Sequence, residues 1–368
     1  MSIRKNNNKK DNFFMNLAFM QAEKNLGNTK ENPSVGCVIV KDNHILSAGS
    51  TSINGRPHAE YNAINSAKSN IKNSILYSTL EPCSNYGKTP PCVNLIIKNK
   101  IKKVFFSTLD PDPRSYNKSK TLLSKKKIST DNQILNSRGN IFYNSYIRYK
   151  KNYLPFVTAK IAVSKDMYTK DNRNKWITNK YSRGRVHLLR SSHDCLITSL
   201  NTIIKDNPLL DCRIEGMEKR SPSIIVLDKY LKIPLNSRLI KNSNKRNIYI
   251  FFNKINKNKI KNLKKLKIKL IKMPLNYNNN FDLKNILIRI KKLGFSRIFI
   301  ECGLKLLGNF INKNLINNLY LFISDKKLKK NGSKSINKYM KIISKHNKTE
   351  EKVNLLGERL IKYRLNNV

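Results

Sequence analysis

The sequence is poor in acidic residues and has no long apolar segment. It contains 23 Asp and Glu residues against 73 Lys and Arg residues, which gives a formal net charge of +50 at pH 7. No run approaches the roughly 18 consecutive apolar residues of a membrane-spanning helix, so we expect a soluble chain with no membrane partner. The basic start of the chain is not followed by an apolar segment with a cleavage site, so no secretory signal is predicted.

Cysteine is also scarce, with six residues in 368. Disulfide frameworks are typical of short secreted chains and are not expected in a chain of this size. We therefore expect reduced cysteines and a cytoplasmic location.

The positive charge is of a kind often found in nucleic-acid-binding proteins, but its distribution argues against a specific nucleic-acid partner. The lysines are scattered with asparagine and isoleucine through every segment, as in residues 255–262. An AT-rich genome would encode lysine, asparagine and isoleucine at any surface position that tolerates them. Aromatic residues are not interleaved with the basic ones as single-strand stacking platforms require. We expect only weak, non-specific RNA binding at low salt.

The length of 368 residues predicts two domains, which we assign to residues 1–150 and 151–368. The first has the element order of a three-layer α/β/α domain. Helices are predicted over 11–26, from 58, from about 90 and over 117–127, and strands near 35–40, 45–51, 75–80, 103–108 and 141. In the second, strands are predicted at 154–164, 195–198, 224–228, 248–252, 268–273, 298–302 and 319–324, and helices at 179–190, 254–267, 282–293 and 304–314. Such alternation implies a mostly parallel sheet with helices on its faces.

Metal-ligand residue types at close spacing give the strongest chemical signal. His58 precedes Glu60 by two residues, and Cys83 precedes Cys92 by nine. Three protein ligands leave a coordination position for water, which loses its proton near neutral pH on zinc. Glu60 can then move that proton as the catalytic group. We predict one Zn²⁺ per chain bound by His58, Cys83 and Cys92. His-x-Glu with Pro-Cys-x-x-Cys is the signature of zinc nucleobase deaminases, although eight residues rather than two separate the cysteines here.

Each piece of this pattern alone has a simpler interpretation. A lone His-x-Glu is usually part of a solvated loop, and a lone buried cysteine is usually a small core residue. Here both pieces follow strand-like runs, and each meets a proline where a helix is expected to begin (Pro57; Pro82 and Pro91). The combination favours the metal site.

The motifs resemble those of the bifunctional deaminase/reductase family of riboflavin biosynthesis. The resemblance is carried by residues 32–40, 57–60 and 79–92. Within the last range, the long spacer ending in Gly-Lys-Thr-Pro-Pro-Cys separates this family from cytidine, guanine and tRNA adenosine deaminases. The resemblance implies a cytidine-deaminase-like domain followed by a dihydrofolate-reductase-like α/β domain. It implies zinc-dependent deamination of 2,5-diamino-6-(5-phosphoribosylamino)pyrimidin-4-one, then NADPH reduction of the ribosyl group to ribityl.

The resemblance also implies further site residues. Asn32 would contact the pyrimidine or its ribose, and Lys88 the phosphate. Lys160 would be catalytic in the reductase, where it polarises the ribose C1′ centre or supplies the proton that accompanies hydride transfer. The other substrate-binding residues implied are Asn174, Arg190, Leu210, Arg213 and Glu301, and those implied for NADPH are Ala162, Trp176, Thr202, Asp206 and Gly303. Of these, Arg190 and Arg213 have the guanidinium fork that fits a phosphate, and Gly303 begins a helix where a diphosphate can meet backbone N–H groups.

Departures from the family pattern lie mainly in the second domain. Met167 stands where the family has glycine, which is costly if the backbone there has positive φ. Residues 114–118 lack the family's Val-Ala-Gly, and Asn85 replaces a common histidine. Three alternatives stay open: a deaminase with a decayed reductase, a nucleobase or tRNA deaminase, and a basic RNA-binding protein on a decayed enzyme scaffold. The last predicts losses among the zinc ligands and Glu60, and none is lost. Homo-oligomerisation is left open.

Overall fold

A computed structural model describes residues 2–366 and divides into two compact units. One unit ends at Asn152 and the other begins at Tyr153. Among the described residues, no helix combines the length and apolar character needed to cross a bilayer.

The first unit contains one five-stranded mixed sheet. Its helices are α1 (Ser2–Glu23), α2 (Ala59–Ser66), α3 (Cys92–Lys98), α4 (Ser119–Ser124), α5 (Asn136–Phe142) and α6 (Asn144–Lys151), and its strands are β1 (Gly36–Lys41), β2 (His44–Ser50), β3 (Ile75–Leu80), β4 (Lys103–Thr108) and β5 (Ser129–Asn132). The strand order is β2-β1-β3-β4-β5. Strand β1 is antiparallel to β2 and β3, whereas β3, β4 and β5 run parallel.

Two glycines show that helices cover both faces of this sheet. Gly36 lies so close to α1 that a Cβ there would overlap the carbonyl oxygen of Ala18. Gly49 pairs with the residue after Gly36, so it faces the other way, where a Cβ would meet Ala59 O of α2 at 2.5 Å. The predicted three-layer α/β/α architecture is therefore confirmed.

The strand predicted near residue 141 is wrong, because this segment is helix α5. Gly139 and Tyr143 are buried four residues apart, whereas Ile141 between them is 55% exposed. That spacing belongs to one face of a helix rather than to a strand. The helix approaches β4 closely at Gly139, where a Cβ would overlap the Thr108 hydroxyl.

The second unit is built on a nine-stranded sheet. Its helices are α7 (Lys180–Ser191), α8 (Leu200–Asp206), α9 (Arg238–Lys241), α10 (Lys257–Lys265), α11 (Leu283–Lys292), α12 (Leu304–Asn312) and α13 (Asn337–Ile343). Its strands are β6 (Phe156–Val163), β7 (Tyr168–Asp171), β8 (Cys195–Ser199), β9 (Ser223–Leu227), β10 (Ile248–Phe252), β11 (Lys269–Lys272), β12 (Arg297–Ile300), β13 (Asn318–Ile323), β14 (Gly332–Ser335), β15 (Asn347–Glu350) and β16 (Arg359–Arg364).

The order in the large sheet is β11-β10-β9-β8-β12-β6-β13-β16-β15, and β7 and β14 form a separate pair. All pairs from β11 to β13 are parallel, and β16 and β15 add an antiparallel edge. Interior strands such as β10 are buried along their whole length, as expected where helices cover both faces. The predicted mostly parallel α/β architecture is confirmed.

Candidate functional site

Three metal-ligand side chains of the first unit converge. His58 is the residue before α2, Cys83 lies in the loop after β3, and Cys92 is the first residue of α3. Their ligand atoms all lie within 4.8 Å of one another, and His58 Nδ1 is 3.5 Å from each sulfur. Zinc bonds of about 2.0–2.1 Å to nitrogen and about 2.3 Å to sulfur at tetrahedral angles hold the two atoms about 3.6 Å apart. The donor types and their spacing therefore fit a zinc ion with its fourth position open.

Hydrogen bonds prepare Cys83 to be a thiolate. The backbone N–H of Cys92 donates to Cys83 Sγ at 3.3 Å. Hydrogen bonding from the Cys92 thiol, and further bonds from His58 and this N–H, lower the pKa of Cys83 to about 4. The thiolate is the form of cysteine that binds metal.

Glu60 lies beside these ligands in the first turn of α2. Its side chain is buried, and the Ser78 hydroxyl donates to Glu60 Oε1 at 3.4 Å. Burial raises the pKa of Glu60 above its ordinary value. This is the direction that suits a carboxyl group which accepts and returns a proton near neutral pH.

A pocket opens over this cluster, and Asn32 lines it together with His58, Glu60 and Cys83. The loop between the two cysteines contributes Asn85, Gly87 and Thr89 to its wall. Lys88 in the same loop is exposed and, among the described residues, is not one of those that line the pocket. Its phosphate contact stays a prediction.

Three cationic side chains that the sequence did not single out also line this pocket: Arg56, Arg114 and Lys150. Asp112 forms salt bridges with two of them, at 2.7 Å to Arg114 Nη2 and 2.9 Å to Lys150 Nζ. Nothing in the local sequence marks these cations, since the chain has 73 Lys and Arg residues. The only signal was the departure of residues 114–118 from the family pattern.

Asp110 is a further pocket residue that the sequence did not identify. It is buried, and it accepts hydrogen bonds from the Tyr146 hydroxyl (3.1 Å) and the Asp112 N–H (3.0 Å). Burial raises its pKa to about 6, against the effect of those hydrogen bonds.

In the second unit, Glu301 joins two predicted site residues. Its carboxylate accepts from Arg190 Nε at 2.9 Å and Nη2 at 2.8 Å, and its Oε1 is 3.2 Å from Lys160 Nζ. Burial opposes ionisation of Glu301, but the charges of Arg190 and Lys160 outweigh it and lower the pKa to about 2. A buried ionised carboxylate thus holds the Lys160 ammonium in place.

Arg190 was expected to contact the substrate phosphate, but in the structure its guanidinium is paired with groups of the protein itself. Its third nitrogen, Nη1, donates to the Asp211 carbonyl at 2.8 Å, and the side chain is buried. Because Glu301 occupies the guanidinium fork, the fork is not open to an anion. Arg213 is exposed, with Nε 3.3 Å from Asp211 Oδ1.

Several residues predicted to bind NADPH lie at one edge of the large sheet. Strands β8, β12 and β6 are parallel neighbours, so their carboxyl ends share an edge, which is where open α/β sheets bind ligands. Thr202 lies in the first turn of α8 after β8, and Gly303 is the residue before α12. A Cβ built on Gly303 meets no described atom within 4 Å. The open helix start can therefore admit a diphosphate to backbone N–H groups.

The remaining predicted residues of the second unit lie on several different elements. Asp206 ends α8 and is exposed, and Ala162 is in β6. Trp176 is 54% exposed, with the Arg183 guanidinium 4.9 Å from its ring centre. The exposed Asn174 donates to Asp171 Oδ2 at 2.9 Å. Leu210 is buried and has a positive φ of 58°.

Comparisons with known proteins cover both units. A family model described as the cytidine and deoxycytidylate deaminase zinc-binding region matches residues 8–108, and one described as the RibD C-terminal domain matches residues 155–338. The riboflavin biosynthesis protein RibD of Aquifex aeolicus is 33% identical over 359 residues, which cover 95% of this chain and 97% of that protein. That of Bacillus amyloliquefaciens is 37% identical over 232 residues, or 62% of each chain.

A solved structure is similar over the same span. The diaminohydroxyphosphoribosylaminopyrimidine deaminase/5-amino-6-(5-phosphoribosylamino)uracil reductase of Thermotoga maritima aligns with a TM-score of 0.83 at 28% identity. The alignment covers 97% of this chain and 99% of that one.

Proposed function

The chain belongs to the RibD family of bifunctional deaminase and reductase enzymes of riboflavin biosynthesis, and on this basis we propose how its residues divide the two reactions. The unit ending at Asn152 hydrolyses the amino group of 2,5-diamino-6-(5-phosphoribosylamino)pyrimidin-4-one. The unit beginning at Tyr153 reduces the ribosyl group of the product to ribityl with NADPH. Matches to both halves favour this function over a nucleobase deaminase or a deaminase with a decayed second half.

The observation that carries the deaminase assignment is the buried Glu60 carboxyl beside the convergent atoms of His58, Cys83 and Cys92. Zinc held by these three residues supplies a water of lowered pKa. Glu60 accepts a proton as a C–O bond forms at the amino-bearing carbon, and it returns the proton to the amino group as the C–N bond breaks. Ammonia leaves, and the ring carbon becomes a carbonyl. Asn32, in the wall of the same pocket, hydrogen-bonds the pyrimidine or its ribose.

In the reductase unit, NADPH would supply the hydride for ribose C1′, whose bond to the ring oxygen O4′ breaks as the ribityl chain forms. Lys160 donates the proton that O4′ takes up, and Glu301 holds its ammonium. Arg190 acts by fixing Glu301, which leaves Arg213 as the more accessible guanidinium for the substrate phosphate. Leu210 and Asn174 complete the substrate side. Gly303, Thr202, Asp206, Ala162 and Trp176 form the proposed cofactor side.

All six cysteines are free in the structure, which supports an enzyme that works in the reducing cytoplasm.

One assay tests both steps in the full chain loaded with zinc. Incubation with the diaminopyrimidine ribotide alone should release ammonia and give the aminouracil ribotide. Added NADPH should then be oxidised as the ribityl product forms. The Glu60→Gln variant should release no ammonia, yet it should still reduce aminouracil ribotide that is supplied directly. The Lys160→Met variant should release ammonia but should not oxidise NADPH. Loss of both steps in either variant would contradict the assignment of separate catalytic residues.

A further inference from the structure

We infer that the Tyr143 hydroxyl positions Asn32 for the substrate by clamping residues 34–36, which follow Asn32 in the chain. The inference rests on the proposed deaminase function, in which Asn32 hydrogen-bonds the pyrimidine or its ribose, and it adds a residue that acts from outside the pocket. Tyr143 lies between α5 and α6 and is 2% exposed. It is not one of the described residues that line the pocket.

Two hydroxyl groups connect the two ends of the segment from Ser34 to Gly36. The Gly36 N–H donates to Thr79 Oγ1 at 3.0 Å. The Thr79 and Tyr143 hydroxyl oxygens are 2.5 Å apart, and the Tyr143 hydroxyl donates to the Ser34 carbonyl at 3.2 Å. Because a tyrosine hydroxyl has one proton, which goes to Ser34, the Thr79 hydroxyl is the donor to Tyr143. Each hydroxyl therefore donates once and accepts once, and together they hold both backbone groups of the segment.

Water is kept away from these hydrogen bonds, since Tyr143, Thr79 and Ser34 are all buried. Burial raises the pKa of the Tyr143 hydroxyl, and the charges of Glu60 and Asp110 raise it further. The hydroxyl therefore keeps the proton that the Ser34 carbonyl accepts. A buried carbonyl that loses its donor is unfavourable, so the segment should move if this hydroxyl is removed.

The clamped segment belongs to the wall of the pocket. Pro33 and Val35 line the pocket together with Asn32. The proline ring fixes its own φ and restricts the backbone of the residue before it, so a movement of Ser34 is passed on to Asn32. On its other side Asn32 is held by a turn, in which the Thr29 hydroxyl donates to the Asn32 carbonyl at 2.8 Å. Loss of the clamp should therefore displace the Asn32 side chain without removing a metal ligand.

The test is Tyr143→Phe in the zinc-loaded full chain, a substitution that removes the hydroxyl and keeps the ring. We expect KM for the diaminopyrimidine ribotide to rise about tenfold while kcat changes by less than about twofold, because the Asn32 contact is made in the ground state and the transition state alike. Zinc content should stay unchanged. Thr79→Val removes the other hydroxyl of the clamp and should raise KM in the same way.

Tyr77→Phe is the matched control. Tyr77 is buried in the same unit, and its hydroxyl donates to Asp11 Oδ1 at 2.6 Å rather than to the clamp. Loss of one buried hydrogen bond should lower the melting temperature of either tyrosine variant by roughly 2–4 °C, but KM should rise only in Tyr143→Phe. Equal changes of KM in the two variants, or an unchanged KM in Tyr143→Phe, would overturn the inference.

A double-mutant cycle shows whether the hydroxyl acts through Asn32. Asn32→Ala alone should raise KM, and Tyr143→Phe added to it should raise KM by less than about twofold more. If Tyr143→Phe raises KM by the same factor in both backgrounds, Asn32 is not the residue that it positions. If instead the native chain with bound zinc releases no ammonia from the ribotide, the proposed deaminase function itself fails.

Discussion

The Arg190 guanidinium donates two parallel hydrogen bonds to the Glu301 carboxylate, from Nε to Oε2 and from Nη2 to Oε1. Both side chains are buried, and Lys160 is the second cation on the same carboxylate. The two residues lie 111 positions apart in the chain, so the pair ties α7 to the end of β12. It links the stability of the second unit to the placement of its proposed catalytic lysine.

We expect Arg190→Met to destabilise the second unit by about 3 kcal/mol, since removing one partner of a buried ion pair leaves a poorly compensated charge. Trp176 is the only tryptophan and lies in this unit, so its fluorescence reports the transition. The double variant Arg190→Met/Glu301→Gln should recover part of the loss. If Arg190→Met leaves stability unchanged and only weakens substrate binding, Arg190 is a phosphate ligand rather than a positioning residue.

The lowered pKa of Glu301 predicts loss of stability in acid. The folded-state pKa is about 2, below the ordinary value of 4.5. The group therefore stabilises the fold fully above pH 4.5, and this contribution disappears as pH falls toward 2. Glu301→Gln should make the tryptophan-detected stability less dependent on pH between 5 and 3. An unchanged slope would contradict the ionised, paired state.

The buried Asp110 carboxyl should give the stability of the first unit the opposite dependence on pH. Burial raises its pKa to about 6 from 3.8, so the folded state binds the proton more tightly than the unfolded chain. Its contribution is favourable below pH 3.8 and is lost as pH rises through about 6. Asp110→Asn should raise stability at pH 8 relative to pH 5 by about 1.4 kcal/mol. Calorimetry of the zinc-loaded variant and of the native chain checks this, and a pH-independent difference would contradict it.

The zinc site predicts separate effects of a ligand and of the carboxyl. Cys92→Ser should reduce zinc content and abolish deamination, because an alcohol is a poor substitute for a thiolate ligand. Glu60→Gln should retain one zinc per chain yet lose deamination by about a hundredfold or more, since an amide cannot carry the proton. Metal analysis combined with an ammonia-release assay distinguishes the two variants. Full zinc and full activity in Cys92→Ser would remove that residue from the site.

Residues that lie close together in the sequence could be predicted as parts of the site, whereas contacts between residues far apart in the chain could not. His58, Cys83 and Cys92 could be identified because their spacing is short and their residue types are rare in this chain. The contact between Lys150 and Asp112 spans 38 residues, and nothing in the sequence distinguishes that lysine from the many solvated ones. Only the fold brings such pairs together.

Secondary structure was predicted well where apolar residues are regular. The strands of the second unit from β8 to β13 were expected, because each is a short apolar run. Strand β15 was missed, since all four of its residues are polar and exposed. Strand β16 was also missed, because Arg359, Lys362 and Arg364 interrupt its apolar residues, although Leu360 and Ile361 are buried against the sheet.

The last prediction concerns Met167, which stands where the family has glycine. Its φ is 68°, in the left-handed region where a residue other than glycine is strained. The residue closes a turn after β6, with its N–H donating to the Ser164 carbonyl at 2.9 Å, and its side chain packs partly buried against the core. This turn, and the hydrogen bond that the Met167 carbonyl accepts from the Ile336 N–H, keep the residue in the left-handed conformation.

We expect Met167→Gly to tighten NADPH binding about fivefold, equivalent to about 1 kcal/mol, and to raise the reduction rate. Glycine relieves about 1–2 kcal/mol of left-handed strain, which offsets the lost packing, so stability should change little. Met167→Ala is the control, because it shortens the side chain but keeps the Cβ and the strain. Equal gains in both variants would assign the effect to side-chain crowding, and a gain in glycine alone would assign it to the backbone. If neither variant changes the NADPH dissociation constant or the rate, Met167 does not limit cofactor approach.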